Sequence, residues 1–310
     1  MDIFELLAYN KSSEGDIMAS EQTNSHFQVL AGDCLQQLRS GALNNIALSF
    51  VDPPFRQGKS YRFFDDDQPE EMYWDWMKEI LHEIKCVTMD GGGVYFMQRE
   101  KNTERVLRAL GDAGWTYQNL IIWKKKTSAV PCEFRFAKQY QIIAFATNGT
   151  KPRVFNKLRA DLPLAPGHKH TRANGVFLTD VWDDIRELTS GYFAGDEAIR
   201  ELNGDRAHVQ QSPVALLLRI LLSSSMPGDI ILDPFAGTGT TLVVAEQLCR
   251  QSVGIEIDPK NVELIEKRLR QMRQADDVSK FRKYYRFTND LSSIWAESSK
   301  LSSWRVPIDV

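Results

Sequence analysis

The stretch DIILDPFAGTGTTLVVAEQLCRQSVGIEID at residues 229–258 decides the fold class. DIILDPF at 229–235 is typical of a buried strand, TTLVVAEQLC at 240–249 predicts a helix, and SVGIEID at 252–258 predicts another strand. Strands and helices that alternate in this way build a parallel sheet with helices on its faces. This part of the chain therefore predicts an α/β protein.

The same alternation extends outward over most of the chain. IALSFVD at 46–52 is a continuous apolar run, as expected for a strand that is buried on both faces of a parallel sheet. Three glycines at 91–93 are expected to break the chain before the next strand. We predict a doubly wound, mostly parallel α/β sheet. The remaining predicted strands are 26–33, 94–98, 116–123 and 140–147, and the remaining predicted helices are 34–40, 70–87, 102–114, 212–226 and 259–273.

The composition is that of a globular protein, with 43% hydrophobic and 25% charged residues among 310. The four cysteines are scattered without a CxxC pair, which argues against a disulfide framework or a zinc cluster. No apolar run approaches the roughly 18 residues of a membrane span, and the N-terminus lacks the pattern of a secretion signal. We therefore expect a cytoplasmic protein without membrane contact.

The charge is segregated along the chain. A net charge of -3 argues weakly against a nucleic-acid partner. However, basic residues greatly outnumber acidic ones between Lys124 and Arg172, and acidic residues dominate between Asp65 and Glu83. A basic region can bind phosphates whatever the total charge, although a solvated surface is the alternative explanation.

The motif DPPF at 52–55 follows the predicted strand at 46–52. In open α/β sheets the ligand crevice lies at the carboxyl ends of the strands. Proline locks φ and removes an amide donor, so Asp52 and the carbonyl of Pro53 are fixed hydrogen-bond acceptors. With the flat ring of Phe55, they suit a planar base that carries an exocyclic amine. A simple strand-ending turn is the alternative.

The loop DPFAGTGTT at 233–241 joins a predicted strand to a predicted helix. Gly237 and Gly239 allow the backbone to approach a ligand, and the helix N-terminus offers free amides. A phosphate-binding P-loop is excluded because no Lys precedes the Ser/Thr position, and the GxGxxG match is incomplete because Leu242 holds its third glycine position. The loop leaves a dinucleotide site and an S-adenosylmethionine site open.

Two further acids follow predicted strands. Glu256 ends the strand at 252–258, where a carboxylate can bind ribose hydroxyls of either NAD or S-adenosylmethionine. Asp33 follows the first predicted strand, and it either caps the next helix or contacts a ligand.

DPPF at 52–55 followed by DPFAGTGTT at 233–241 resembles the beta group of the DNA amino-methyltransferases, which methylate the exocyclic amine of adenine or cytosine. The resemblance covers roughly residues 26–272. It implies S-adenosylmethionine as cofactor, double-stranded DNA as substrate and adenine N6 as the expected target, because an acid at the position of Asp52 usually accompanies adenine. Methylation of cytosine N4 is the alternative.

The resemblance assigns roles to individual residues. It implies catalytic roles for Asp52, Pro53, Pro54 and Phe55. It implies cofactor contacts for Asp33, Cys34, Asp52, Gln211, Ser212, Asp233, Phe235, Ala236, Gly237, Thr238, Gly239, Glu256 and Ile257. The chain departs from the family pattern at Ser212, where relatives often have Lys, and at Asn261, where an aromatic is common. We therefore expect Gln211, Ser212 or backbone amides to bind the cofactor carboxylate.

The resemblance also divides the chain. The expected units are a flexible N-terminal arm (1–25), a catalytic half (26–150), a target-recognition insert (151–207), a cofactor-binding half (208–274) and a C-terminal extension (275–310). The insert is expected to be irregular, since its sequence is rich in Pro, Gly, His and Arg. DNA contacts are expected from Lys124, Lys126, Arg135, Lys151, Arg153, Lys157, Arg159, Lys169 and Arg172. A cognate restriction endonuclease and a second copy of the chain are further candidate partners.

The expected chemistry is direct methyl transfer without a metal ion or a covalent enzyme intermediate. The strands at 46–52 and 229–235 should lie side by side and parallel, so that Asp52 faces the cofactor. The target base must be flipped out of the duplex, and Phe55 would stack on it. An oxidoreductase of the NAD type leaves DPPF unexplained, and a nucleic-acid-binding module without catalysis leaves an intact DPPF without a purpose.

Overall fold

The computed structural model describes residues 26–59, 61–127, 133–161, 173–188, 192–200, 203–204, 206–207 and 210–298. The strands are β1 (Phe27–Ala31), β2 (Ile46–Val51), β3 (Thr88–Arg99), β4 (Thr116–Lys124), β5 (Tyr140–Thr147), β6 (Arg159–Ala160), β7 (Val176–Phe177), β8 (Val181–Trp182), β9 (Ile230–Asp233) and β10 (Gln251–Glu256). The helices are α1 (Cys34–Arg39), α2 (Glu70–Val87), α3 (Thr103–Asp112), α4 (Val214–Ser224), α5 (Thr240–Gln247), α6 (Pro259–Arg270) and α7 (Leu291–Ile294).

Eight strands form one sheet in the order β1-β10-β9-β2-β3-β5-β4-β8. The first five are parallel neighbours, β5 runs antiparallel to β3 and β4, and β8 pairs parallel with β4. The predicted doubly wound, mostly parallel sheet is therefore confirmed. β6 and β7 form a separate antiparallel ribbon.

The sheet has its topological switch point between β2 and β9, which pair in parallel as predicted. From β2 the chain passes through α2 to β3 on one side, and from β9 it passes through α5 to β10 on the other. At such a reversal a crevice opens at the carboxyl ends of the strands. The topology therefore brings the ends of β2 and β9 to one crevice.

Helices on both faces of the sheet bury β2. Every residue of β2 is buried. Phe50 belongs to the same core cluster as Leu217 of α4, whereas Val51 belongs to the cluster that includes Ile80 of α2. Neighbouring residues of a strand point to opposite faces, so both faces are covered. Each such large apolar side chain contributes about 1.5–3 kcal/mol on burial, which holds the end of β2 in place.

The three glycines at 91–93 do not end a segment, so this prediction is wrong. β3 passes through them, and the β2–β3 pairing changes register between Ile46 and Leu48. Gly91 has φ of 70°, and a Cβ on Gly92 would lie 2.5 Å from Thr88 Cγ2. The glycines are there because the irregular strand leaves no room for side chains.

The insert and the C-terminal extension both pack on the sheet domain. Residues 181–182 of the insert form the edge strand β8, and Asn156 donates its amide hydrogen bond to the carbonyl of Ser223 in α4. In the extension, Tyr285 and Trp295 are buried in the core cluster. The N-terminal arm at 1–25 lies outside the described residues. Among the helices described, none is both long and apolar enough to cross a membrane.

Candidate active site

A cavity of about 290 Å³ opens at the carboxyl ends of β2 and β9. Its walls contain most of the residues expected to act in catalysis and cofactor binding. Those that line it are Asp33, Cys34, Asp52, Pro53, Pro54, Gln211, Ser212, Asp233, Phe235, Ala236, Gly237, Thr238, Glu256 and Ile257. Segments far apart in sequence thus meet at one site.

Glu256 at the end of β10 is fixed by two backbone amides. Its Oε2 accepts a hydrogen bond from Gly237 N at 2.7 Å, and its Oε1 accepts one from Asp258 N at 2.8 Å. The carboxylate is 8% exposed and faces the cavity. A carboxylate held in this way can accept hydrogen bonds from ribose hydroxyls without reorganising.

Asp233 anchors the loop that follows β9. Its carboxylate accepts hydrogen bonds from Phe235 N at 3.1 Å and from Thr241 Oγ1 at 2.5 Å. Burial raises the pKa of Asp233 to about 7, against the effect of these two hydrogen bonds. Both oxygens thus bind the loop itself, which shapes the turn around Gly237.

Gly239 serves packing rather than ligand approach, which corrects the expectation for this residue. It does not line the cavity. It precedes α5 with φ of 77°, and a Cβ there would lie 2.9 Å from two side-chain carbons of Ile265 in α6. Glycine is required because the loop lies directly against α6.

Asp52 leaves the end of β2 and is joined to the start of α4. Its Oδ2 accepts a hydrogen bond of 2.9 Å from Ser212 Oγ. Burial raises the pKa of Asp52 to about 7, while the Ser212 bond and the positive charges of Lys125 and Lys59 act in the opposite direction. The ionised carboxylate, a strong hydrogen-bond acceptor, therefore predominates only above a pH of about 7.

The two side chains expected to bind the cofactor carboxylate are engaged elsewhere. The Ser212 hydroxyl donates to Asp52. The side-chain amide of Gln211 accepts from Ile199 N at 3.0 Å and donates to Glu197 O at 3.0 Å. Both residues line the cavity, and these bonds organise its wall, so a direct contact of Gln211, Ser212 or backbone amides with the cofactor carboxylate stays a prediction.

A buried hydrogen-bond chain holds the second proline of DPPF, and the sequence did not reveal it. Tyr73 of α2 donates its hydroxyl to Pro54 O at 2.7 Å, and Gln98 Nε2 of β3 donates to the Tyr73 hydroxyl at 2.9 Å. Tyr73 and Gln98 are both fully buried. The Pro54 carbonyl is therefore occupied, which leaves the Pro53 carbonyl as the backbone acceptor at the cavity.

Asp66 organises the loop after DPPF. This carboxylate is 2% exposed and accepts hydrogen bonds from the amides of Arg56 (2.8 Å), Gln57 (2.8 Å) and Lys59 (3.0 Å). The sequence suggested only an acidic surface in this part of the chain. A carboxylate that binds several backbone amides is recognisable only once the loop has folded back on itself.

Phe55 does not present a free ring face, so the expectation that it stacks on a base is not met. Its side chain is 1% exposed and belongs to the same core cluster as Phe50 and Trp123. Phe55 is therefore part of the apolar core, where burial stabilises it.

Four aromatic side chains other than Phe55 form one wall of the cavity surface. The ring centroids of Tyr61 and Phe64 are 6.5 Å apart, those of Phe64 and Trp76 4.9 Å, and those of Trp76 and Phe235 5.7 Å. All four side chains line the cavity. Flat apolar surfaces of this kind suit heterocyclic rings. The many aromatic residues between 61 and 76 could have indicated such a wall, but their spacing in the sequence does not show that the rings meet.

Asp33 caps a helix and also lies in the cavity wall, so its contact with a ligand stays a prediction. Its Oδ1 accepts a hydrogen bond of 3.0 Å from Gln36 N and caps α1, and the residue also lines the cavity. Burial raises the pKa of the neighbouring Cys34 thiol to about 12, so this cysteine stays protonated.

The predicted DNA contacts are spread over the molecule. Lys124, Lys126 and Arg135 are exposed, and they lie on or after the carboxyl end of β4, which is the catalytic edge of the sheet. Near them, the Lys125 charge acts on Asp52. These three residues remain candidates for phosphate contacts.

Lys151 and Arg153 lie at the opposite edge of the sheet, away from the cavity, and their predicted DNA contact stays a prediction. They follow β5, the antiparallel strand, so the chain is then at the amino ends of the parallel strands. Arg153 N donates to Gly91 O at 2.8 Å, and its guanidinium forms an ion pair with Asp229, which precedes β9.

The remaining residues predicted to contact DNA have different surroundings. Arg159 donates from Nε to Asn174 O at 2.8 Å and lies 4.1 Å from the centroid of the Phe177 ring, so it stabilises the β6–β7 ribbon. Lys157 is exposed. Lys169 and Arg172 lie outside the described residues. Where side chains are described, no cluster of three or more His, Cys, Asp or Glu could hold a metal ion.

Comparison with known proteins gives a consistent result. Residues 46–267 match the sequence model of the N6/N4 methylase family, described as DNA methylase. The chain is 28% identical to the DNA adenine methyltransferase YhdJ of Escherichia coli (strain K12) over 85% of this chain and 90% of that protein. It is 29% identical to the Type II methyltransferase M.HinfI of Haemophilus influenzae over 83% of this chain and 72% of that protein.

Solved structures share the fold. The M1.HpyAVI–SAM complex has a TM-score of 0.52 and 17% identity, and it covers 78% of this chain and 98% of its own. The PvuII DNA methyltransferase, titled cytosine-N4-specific, has a TM-score of 0.58 and 18% identity, covering 87% of this chain and 94% of its own.

Proposed function

The chain belongs to the N6/N4 DNA methylase family, and we propose that it transfers a methyl group to the N6 amine of adenine in double-stranded DNA. Family membership confirms the resemblance based on 52–55 and 233–241, and with it S-adenosylmethionine as the cofactor. Asp52 and the adenine specificity named for YhdJ support adenine as the target. Cytosine N4 is the second candidate, since the PvuII enzyme shares the fold.

The observation that carries the proposal is the parallel pairing of β2 and β9. Ser49 is in register with Leu232, so Asp52 and the loop that begins at Asp233 leave the sheet side by side. Asp52, the proposed acceptor of an amine proton, and the cofactor loop therefore share one cavity. Catalysis by positioning needs this juxtaposition.

The residues of the cavity fit S-adenosylmethionine. Glu256 is oriented to accept hydrogen bonds from the ribose. Asp33 lines the same cavity. The rings of Trp76 and Phe235 offer apolar surface for the adenine of the cofactor. The bound cofactor supplies an electrophilic methyl group.

The remaining chemistry belongs to the chain itself. Ser212 occupies Oδ2 of Asp52, so Oδ1 is positioned to accept one N6 proton of the target adenine in a hydrogen bond. The Pro53 carbonyl accepts the other, because Tyr73 occupies that of Pro54. These bonds reduce conjugation of the nitrogen lone pair with the ring and orient it toward the methyl group.

The wider setting also follows from this function. A base inside the duplex cannot reach the cavity, so it must be flipped out. We propose that residues 151–207 contribute to target recognition and that the protein acts in the cytoplasm. A cognate endonuclease is supported by the Type II name of M.HinfI. A homodimer stays a proposal that molar-mass measurement can test.

The test is product analysis. The purified protein is incubated with methyl-labelled S-adenosylmethionine and unmethylated bacterial DNA, and the digested nucleosides are analysed by mass spectrometry. We expect label in N6-methyladenine. Label only in N4-methylcytosine would overturn the target base, and DNA without label would overturn the activity.

A further inference from the structure

Arg206 lies in the wall of the cofactor cavity, and one of its guanidinium donors has no acceptor among the described residues. The residue lines the cavity, and its Nε is buried without a hydrogen-bond partner among the described residues. Nη2 donates to Leu188 O, and the adjacent Ala207 N donates to Ile199 O at 3.0 Å. The backbone and one end of the guanidinium are thus fixed, while another donor has no acceptor.

Among the described residues, no carboxylate compensates the charge of Arg206. Burial lowers the pKa of this guanidinium, and the positive charge of Arg200 lowers it further. No carboxylate of the described residues is among the groups that shift it. A half-buried cation in this situation is destabilised unless an anion binds beside it.

The cofactor carries one carboxylate, which needs a cation or hydrogen-bond donors in the cavity wall. Glu256 and Asp33 are themselves anionic and would repel it. Gln211 and Ser212 have their polar atoms engaged. Arg62, the other arginine of the cavity wall, is exposed, and its guanidinium lies 5.4 Å from the centroid of the Phe63 ring.

We propose that Arg206 binds the carboxylate of the methionine part of S-adenosylmethionine. The planar guanidinium matches a carboxylate and forms charge-assisted hydrogen bonds with it. This inference rests on the cofactor of the proposed function and adds a residue to its binding site.

The test compares two ligands by calorimetry in the absence of DNA. S-adenosylhomocysteine carries the carboxylate, whereas 5′-methylthioadenosine keeps the adenine, ribose and thioether but lacks the amino-acid part. Arg206→Gln should weaken S-adenosylhomocysteine binding about tenfold or more, the scale of a hydrogen bond to a charged group. Binding of 5′-methylthioadenosine should stay within about twofold of wild type, because this ligand has no carboxylate and loses no hydrogen bond in the variant.

Arg62→Gln is the matched control, because it removes the other guanidinium of the same cavity. It should leave both affinities close to wild type. Unchanged S-adenosylhomocysteine binding in Arg206→Gln, equal weakening of both ligands, or a larger loss in Arg62→Gln would overturn the proposal. A wild-type protein that binds neither ligand would instead overturn the cofactor assignment, and this inference with it.

Discussion

The hydroxyl of Ser212 donates a 2.9 Å hydrogen bond to Oδ2 of Asp52. This contact joins the residue before the Pro213 cap of α4 to the end of β2. It fixes one oxygen of the carboxylate and leaves the other for the substrate. Ser212 is therefore a positioning residue for Asp52.

The pH dependence of methyl transfer should reveal this contact. Burial raises the pKa of Asp52 to about 7, and the Ser212 bond opposes that shift. Since the ionised carboxylate is the acceptor, kcat should fall as the pH falls through about 7. Ser212→Ala should move this acid limb to higher pH, and Ser212→Thr, which keeps the hydroxyl, should not. An acid limb that stays in place in Ser212→Ala would contradict the assignment.

Glu256→Gln should weaken cofactor binding. Loss of the charge reduces the hydrogen bonds to the ribose, which are worth about 1.5–3 kcal/mol. Calorimetry with S-adenosylhomocysteine and without DNA measures the change. Asp258→Asn is the control, because Asp258 caps α6 through a bond from Lys260 N and should leave the affinity unchanged. The reverse ranking of the two variants would transfer the ribose contact to Asp258.

Tyr73→Phe should lower kcat while leaving cofactor binding intact. It removes the donor to the Pro54 carbonyl and leaves Gln98 without its acceptor. Tyr95→Phe is the matched control, since it removes a buried hydroxyl that bonds Ser224 Oγ at 2.7 Å outside the catalytic loop. Each variant should lose about 1–3 kcal/mol of unfolding free energy. Equal kcat values in the two variants would show that the Tyr73 bond stabilises the fold without positioning the loop.

DNA binding should depend on the basic residues of the catalytic edge. Neutralising Lys124, Lys126 and Arg135 together should weaken binding and lower the salt slope by about one for each lost phosphate contact. Neutralising Lys151 and Arg153, at the opposite edge, should change neither quantity. Binding isotherms at several salt concentrations measure both effects. A slope that falls only in the second variant would place the DNA on the other side of the sheet.

The sequence predicted the fold from features that are local. The buried strand β2 follows from its apolar sequence pattern. The start of helix α1 follows from the capping residue Asp33. Both features are visible in the sequence. Motif positions also placed Asp52 and Glu256 at one cavity. The prediction that the three glycines at 91–93 break the chain is wrong, because glycine is required there by close contacts with residues distant in sequence.

The rest of the site depends on contacts between distant segments. Tyr73 reaches Pro54 from a helix, and Ser212 reaches Asp52 across the sheet. The position of Arg153 depends on the direction of β5, which an apolar pattern does not specify. Such relationships emerge only when the strand order is known.

The central claim is that Asp52, which the resemblance also placed among the cofactor contacts, acts on the amine and does not hold the cofactor. Asp52→Ala should be measured in parallel for methyl transfer to DNA and for S-adenosylhomocysteine binding by calorimetry. We predict a loss of at least about 10²–10³ in the transfer rate, the scale of removing a positioned hydrogen-bonding group, with cofactor affinity almost unchanged. A variant that still methylates DNA, or one that no longer binds S-adenosylhomocysteine, would contradict it.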